Sequence, residues 1–369
     1  MKILVTGGAG FIGSHLVDAL VRERHQVRIL DSFEPQVHEG RRPDYLNPSA
    51  EYLEGDVRDR AAVRRALAGV EVVFHEASAV GVGQSMYQIE KYVSANVVGT
   101  AVLLEAIVGE RLPVKRLIVA SSMSIYGEGQ YRCARCGPVF PALREEAQLA
   151  ARRWEMTCPR CEAEVVPEPT SEEKPLAPTS VYATTKRDQE ELCLCVGRSY
   201  RIPTVALRYF NVYGPRQALS NPYTGACAIF SSRIKHGKPP LLFEDGRQSR
   251  DFICVRDIVR ANLLVMTHAE AVYGTFNVGT GHPTPIADVA RTLATLYGTP
   301  MEPDIVEKFR AGDIRHCYAD TSRLRRLGFT PSTALEDGLR ELVEWGRRAE
   351  AQDRVEEAAK ELEARGLTS

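Results

Sequence analysis

Apolar positions fall into two periods along the first two hundred residues, and the period names the elements. Lys2 to Thr6 is a short apolar run of the buried-strand kind, and from Ile12 the apolar spacing becomes helical through Leu16, Ala19 and Leu20. Gln26 to Leu30 predicts a second strand, ending in Asp31. Residues 32 to 50 carry three prolines and many polar side chains, which predicts a loop. Tyr52 to Val57 and Val70 to His75 predict two more strands, separated by a helix from Arg60 to Leu67. A helix over 89 to 110 and a strand from Val114 to Ser121 follow. Strand and helix repeating at this pitch predict an α/β protein with a doubly wound parallel sheet.

From about residue 213 the pattern is mixed: helices at 226 to 236, 256 to 268 and 286 to 297, a hairpin around Glu244-Asp245-Gly246, and a strand at Thr275 to Val278. The expected division is a first domain over 1 to 212, a smaller C-terminal α+β lobe over 213 to 345 that closes over a cleft, and a tail over 346 to 369. Charges of alternating sign in that tail predict a solvated helix.

Between the first strand and the first helix lies Gly7-Gly8-Ala9-Gly10-Phe11-Ile12-Gly13. Glycines in a turn from strand to helix let backbone N–H groups approach a pyrophosphate, and the helix N-terminus adds the positive end of its dipole. The spacing is Gly-x-x-Gly-x-x-Gly, a variant of the commoner dinucleotide fingerprint, and it makes the first domain Rossmann-type. Asp31 stands near the distance at which a carboxylate grips the adenosine ribose of NAD, and its charge would repel the 2′-phosphate of NADP. NAD is the expected cofactor, with Gly7, Gly10, Phe11, Ile12, Gly13 and Asp31 as its contacts.

Tyr182-Ala-Thr-Thr-Lys186 supplies the candidate chemistry. Four residues apart on a helix, the phenol and the ammonium share one face, and a lysine there lowers a phenol pKa that is about 10 unperturbed. Tyr182 then serves as general base near neutral pH. The strand ending at Ser121 delivers Ser122 to the C-terminal edge of the sheet, where ligands sit in open α/β proteins. His75 also closes a strand, but a lone strand-end histidine is more often structural, so it stays outside the catalytic set.

The formal charge of −1 on 369 residues implies no nucleic-acid or anionic-membrane partner. The N-terminus enters its first strand with no charged and apolar leader, and no apolar run is expected to be long enough to span a bilayer, so a cytoplasmic protein is expected. Nine cysteines include Cys133-x-x-Cys136 and Cys158-x-x-Cys161 in a stretch too long for an ordinary connection. Two such pairs predict a tetrahedral, all-thiolate Zn²⁺ site in a small insert over 128 to 170. Four thiolates close the coordination shell, so the metal's role is structural. Glutamates offset the local arginines, which argues against nucleic acid.

Taken in order, the glycine loop, Asp31, Asp56-Val57, Ser121-Ser122-Met123-Ser124-Ile125-Tyr126-Gly127, Tyr182-x-x-x-Lys186, Leu207-Arg208-Tyr209-Phe210-Asn211-Val212-Tyr213-Gly214-Pro215-Arg216 and Arg250-Asp251-Phe252-Ile253-Cys254-Val255 resemble the extended short-chain dehydrogenase/reductases. The branch that they resemble contains the nucleotide-sugar epimerases and dehydratases. That resemblance implies a catalytic triad of Ser122, Tyr182 and Lys186. It places Asp56 and Val57 beside the adenine, assigns Asn96 together with Tyr182 and Lys186 to the cofactor, and assigns Ser85, Ser122, Asn211, Arg250 and Arg310 to the sugar nucleotide. Arg310 lies in Arg310-Ala311-Gly312-Asp313, similar to the diphosphate-binding arginine of the epimerases. A homodimer through the helices at 89 to 110 and 180 to 200 is implied as well.

In such a site Tyr182 takes the proton of a sugar 4-hydroxyl while C4 gives up hydride, and the ketose returns as the C4 epimer. The dehydratases of this kind carry Asp-Glu after the serine, and the decarboxylases a glutamate at the second place. Met123 and Ser124 stand there, and neither exchanges a proton near neutral pH. Epimerisation needs no group beyond Tyr182. The substrate expectation is dTDP-L-rhamnose, with a UDP-glucose or other UDP-hexose 4-epimerase as the near alternative. A 4,6-dehydratase, a reductase and a catalytically silent NAD-binding scaffold are the more distant ones.

Overall fold

The computed structural model describes residues 1–310 and 312–368. Seven strands make the central sheet: β1 (Lys2–Thr6), β2 (Gln26–Asp31), β3 (Glu51–Glu54), β4 (Val72–His75), β5 (Arg116–Ser122), β6 (Thr204–Tyr209) and β7 (Thr275–Val278). Their order across the sheet is β7-β6-β5-β4-β1-β2-β3, and every pairing is parallel. The runs are apolar throughout because both faces are covered. Leu16, Leu20 and Ile258 pack one face with Ile3 and Val5, while Val63, Leu103 and Leu194 pack the other with Leu4 and Val73. The strand order reverses direction between β1 and β4. A crevice therefore opens beyond their C-terminal ends, where ligands bind in sheets of this kind.

Four helices matter for the site: α1 (Phe11–Arg22), α2 (Ile89–Gly109), α3 (Val181–Tyr200) and α4 (Val355–Ala364). The middle of α2, Val93–Val98, is π-helical, a local widening frequent at functional sites. Contrary to expectation, α2 is long and apolar enough by length and composition to cross a membrane, with a mean hydropathy of 1.6. Half of its apolar window is buried against the protein. Ser180 caps α3, its Oγ accepting the Ala183 N–H at 3.1 Å.

Three expectations need correction. The strand at Thr275–Val278 is not part of a separate lobe: it pairs with β6 at the edge of the main sheet, and the helix Val255–Thr267 packs under the same sheet. No hairpin forms at Glu244-Asp245-Gly246. Leu241–Leu242 pairs with Asp304–Ile305, and Ser249–Arg250 pairs with Thr284–Pro285 and His316–Cys317, because the turn is anchored by arginines rather than by its flanking strands. The tail is not wholly solvated either, since Ala358 and Leu362 of α4 are buried.

The insert holds an antiparallel sheet of Gln130–Cys133 between Gly137–Val139 and Val165–Glu168. A small core of Tyr131, Val139 and Met156 lies beside its cysteines. The insert is fixed to the second lobe by buried charge. Arg315, whose side chain is fully buried, reaches Glu155 of the insert at 2.5 Å, Glu244 at 3.0 Å and Asp245 at 2.6 Å. Arg144 of the insert meets the same Glu244 at 2.8 Å.

Candidate active site

One large cavity, about 440 Å³, lies at the switch point and is lined by the glycine loop, Asp31, Asp56, Val57, Ser122, Tyr182, Lys186 and Asn211 among others. Residues spread over two hundred positions of sequence thus meet at one place. The turn from β1 into α1 forms the cradle. A Cβ on Gly13 would lie 2.3 Å from the Gly7 carbonyl oxygen, and one on Gly7, at φ +70°, 2.8 Å from the Ala77 backbone. Helix α1 opens at Phe11 with no side chain capping it, so the N–H groups of its first turn point out of the helix end. Asp31 is buried. Its carboxylate accepts the Ala9 N–H and the Phe33 N–H, each at 2.9 Å, which pins the loop while leaving lone pairs for a ribose. Asp56 is held by Arg58, the ion pair closing at 2.6 Å, and that bond keeps its carboxyl below the usual range. A loop packed too tightly for a side chain at Gly7 or Gly13, leading into a helix end with uncapped donors, fits NAD.

At the other end of the cavity Ser122, Tyr182 and Lys186 all line the wall. Burial pushes the Tyr182 phenol up, and the neighbouring Ser122 hydroxyl works against that shift. The Lys186 ammonium spends its hydrogen bonds away from the phenol. Its ammonium donates to the Ala120 carbonyl and to Gln189 Oε1 at 2.8 Å, and burial lowers its pKa to about 8, opposed by Glu76. Ser122 Oγ accepts from the Ser124 N–H at 3.2 Å and the Ser124 hydroxyl at 2.9 Å. Ser124 therefore orients the Ser122 hydroxyl. Asn211 Oδ1 is buried in this cavity with no partner among the described residues, an acceptor left for a ligand donor.

Four residues assigned by resemblance do not line the cavity. Asn96 is fully buried; its side chain accepts the Ala79 N–H at 2.7 Å and donates to Ala79 O and Thr185 Oγ1, because the π-turn aims it at the neighbouring loop. Ser85 Oγ accepts the Tyr182 N–H at 2.9 Å and donates to Val82 O, so it supports the helix that carries the phenol. Arg250 spends its guanidinium on the carbonyls of Ser249, Ile314 and Arg315. Arg310 pairs with Asp313 at 2.8 Å and lies over the Phe243 ring. Ala311, between them, lies outside the described residues.

His75 is structural, as expected. It sits between Thr6 and Thr100, each at 2.8 Å, and burial lowers its pKa to about 3. Glu76, one residue on, lines the cavity and escaped the sequence reading. Burial raises its carboxyl to about 7, and Tyr209 donates to it at 2.9 Å. In the sequence its one mark is an acidic residue directly after an apolar strand.

Comparison with known proteins agrees with this geometry. The model of the NAD dependent epimerase/dehydratase family matches residues 3–142 and 158–279. The dTDP-L-rhamnose 4-epimerase of Burkholderia thailandensis is 37% identical over 351 residues, 93% of this chain and 94% of that protein. The structure of UDP-glucose 4-epimerase with UDP-glucose from Thermotoga maritima is similar at a TM-score of 0.77 and 31% identity, covering 94% of this chain and 99% of that one. The UDP-glucuronic acid 4-epimerase of Bacillus cereus, in complex with UDP-glucuronic acid and NAD, is similar at a TM-score of 0.78 and 27% identity, with 94% and 99% covered. The chain is therefore an enzyme of the NAD dependent epimerase/dehydratase family, within the extended short-chain dehydrogenase/reductases that its motifs resemble.

Proposed function

We propose that the protein is a nucleotide-sugar 4-epimerase whose substrate is dTDP-L-rhamnose. The observation that carries the proposal is the gathering of Ser122, Tyr182, Lys186 and Asn211 in one cavity with the glycine loop. When bound, NAD supplies reversible hydride transfer. Gly7, Gly10, Gly13 and the first turn of α1 hold its pyrophosphate, and Asp31 its ribose. Tyr182 accepts the proton of the sugar 4-hydroxyl, and Ser122 hydrogen-bonds the same oxygen and fixes its direction. Burial raises the phenol and the Ser122 hydroxyl opposes that rise, so the positive charge of Lys186 one turn along the same helix is what favours the phenolate. The resulting 4-ketose turns over within the cavity, and Tyr182 returns the proton to the opposite epimer.

Met123 is buried and Ser124 is engaged with Ser122, which argues against a second acid and base and so against dehydration. The dTDP-sugar assignment rests on the 37% identity to the Burkholderia enzyme; the similarity to the Thermotoga structure keeps UDP-glucose as the second reading. Each nucleotide sugar is incubated with the purified protein and the C4 proton followed by NMR. Appearance of the C4 epimer of dTDP-L-rhamnose is expected. Turnover of neither sugar by protein shown to carry NAD would refute the proposal, and so would turnover by Tyr182→Phe.

The same reading includes a structural Zn²⁺ on Cys133, Cys136, Cys158 and Cys161. All four Sγ atoms lie within 4.8 Å of one another, and those of Cys133 and Cys161 are 3.6 Å apart. Tetrahedral Zn–S bonds of about 2.3 Å would set sulfurs roughly 3.8 Å apart. One zinc per chain by elemental analysis, lost in Cys158→Ser, is the expected result; a metal-free, folded wild type would end this reading. A homodimer through α2 and α3 belongs here too, supported by exposed Ile89, Val93 and Val98 on α2. Light scattering giving a monomer mass would exclude it.

A further inference from the structure

The C-terminal helix α4 belongs to neither half of the cleft, yet it touches both. Leu362 is buried, its methyls 3.3 and 3.5 Å from where a Cβ on Gly83 would lie, on the dinucleotide-binding side. Glu361 Oε2 accepts from Tyr87 at 3.1 Å and from Tyr223 at 3.3 Å, and the two phenols are themselves 2.7 Å apart. Tyr87 follows the Gly81–Ser85 segment of the first half. Tyr223 belongs to the Asn221–Gly225 turn of the second, whose Asn221, Thr224 and Gly225 line the cavity. Arg365 covers the Tyr87 ring at 4.1 Å and pairs with Glu361 at 3.1 Å. Glu363 reaches Lys308 at 3.3 Å, and the Thr368 backbone bridges to Arg310. The helix is moored behind by Asp353, buried at its approach, 3.1 Å from Lys238.

These contacts lead back to the catalytic phenol. A Cβ on Gly81 would lie 3.0 Å from the Tyr223 Cβ and 2.7 Å from the Tyr92 hydroxyl. The Tyr92 ring packs edge-on against Tyr182, centroids 6.4 Å apart. Ser85 of the same segment bonds the Tyr182 N–H. The segment that the tail grips is thus the one that supports Tyr182 from outside.

We infer that α4 is a strap that sets the width of the sugar-nucleotide cleft, with Glu361 as the positioning residue that ties Tyr87 to Tyr223 and Leu362 as its anchor. This rests on the nucleotide-sugar reading above for its ligand. Glu361 touches no substrate in this account. It acts by holding two walls at one separation, so that binding does not first have to close them.

The test compares wild type, Glu361→Ala, Glu361→Gln, Leu362→Ala and a chain ending at Asp353, each checked for NAD content and circular dichroism. Affinity for dTDP and for UDP is measured by calorimetry, and hydrogen exchange is followed in residues 81–88 and 221–225. Loss of hydrogen bonds to a charged, partly solvated group predicts a Kd for the nucleoside diphosphate raised roughly three- to ten-fold in Glu361→Ala and more in the shortened chain. NAD content should be unchanged, Glu361→Gln should recover most of the affinity, and exchange should rise in both segments together. Unchanged Kd and unchanged exchange in the shortened chain would overturn the strap. A wild type that binds neither nucleoside diphosphate would refute the nucleotide-sugar reading, and the exchange result would then decide the tie between the two walls by itself.

Discussion

Gly13→Ala tests the cofactor cradle at its tightest point. The added methyl would stand 2.3 Å from the Gly7 carbonyl oxygen and 2.8 Å from the Gly8 Cα. Relief requires about 1 Å of movement by backbone, since neither neighbour is a flexible side chain; overpacking of this kind costs about 3 kcal/mol, the upper part of its usual range. At roughly 2.1 cal/mol/K per residue, unfolding entropy for 369 residues is about 0.8 kcal/mol/K, so Tm should fall by about 4 °C. The same displacement swings the first turn of α1 away from the loop, and NAD should be lost on gel filtration. Gly109→Ala is the control: it lies at the end of α2 with nothing within 4 Å of its added Cβ, so it should be neutral or slightly stabilising. Scanning fluorimetry and the ratio of absorbance at 260 and 280 nm read both effects. A Gly13→Ala protein that matches Gly109→Ala in melting temperature and bound nucleotide would show that this contact governs neither the loop nor its nucleotide.

Glu76→Gln gives a pH-dependent change with a definite sign. The carboxyl has a folded pKa near 7 against about 4.3 unfolded, so its protonated form favours the fold; that stability is whole below about pH 4 and lost as pH rises through 7. The variant should therefore gain about 1–3 kcal/mol over wild type at pH 8 and only about 0.6 kcal/mol or less at pH 4.5, and equal differences in melting temperature at both pH values would discard the assignment. Arg315→Met removes the buried cation that joins the insert to the second lobe. Because Glu244 keeps Arg144, the loss should be nearer about 2–3 kcal/mol than the value for a stranded charge. Limited proteolysis should then cut the insert first, and an insert that resists as in wild type would show that the network is not what holds it.

The sheet was legible because burial on both faces makes each strand an apolar run, and β1, β2, β4 and the Arg60–Leu67 helix lie close to where periodicity puts them. The shared placement of Tyr182 and Lys186 was legible because one helical turn fixes them on one face. What that spacing does not contain is the rotamer: Lys186 turns toward Ala120 and Gln189, contacts made by residues distant from it or on its own next turn. Arg250 and Arg310 were assigned by analogy, and their guanidinium partners are backbone carbonyls and a local aspartate that no pattern reveals. Glu76 acquires its character from burial alone, and burial at a sheet edge depends on Tyr209 and Asn262 coming from elsewhere in the fold. The second lobe misled because its short strands pair with segments far along the chain, so local turn residues carried the wrong message.

The return of the chain at Thr275–Val278 to the edge of the seven-stranded sheet has a practical meaning for engineering. A chimera spliced once at residue 212 would import a foreign edge strand with the rest of the C-terminal half, and β6 would face a partner that had not evolved beside it. Exchange of recognition between relatives calls for at least two junctions, one on either side of that strand, leaving the sheet with its own border.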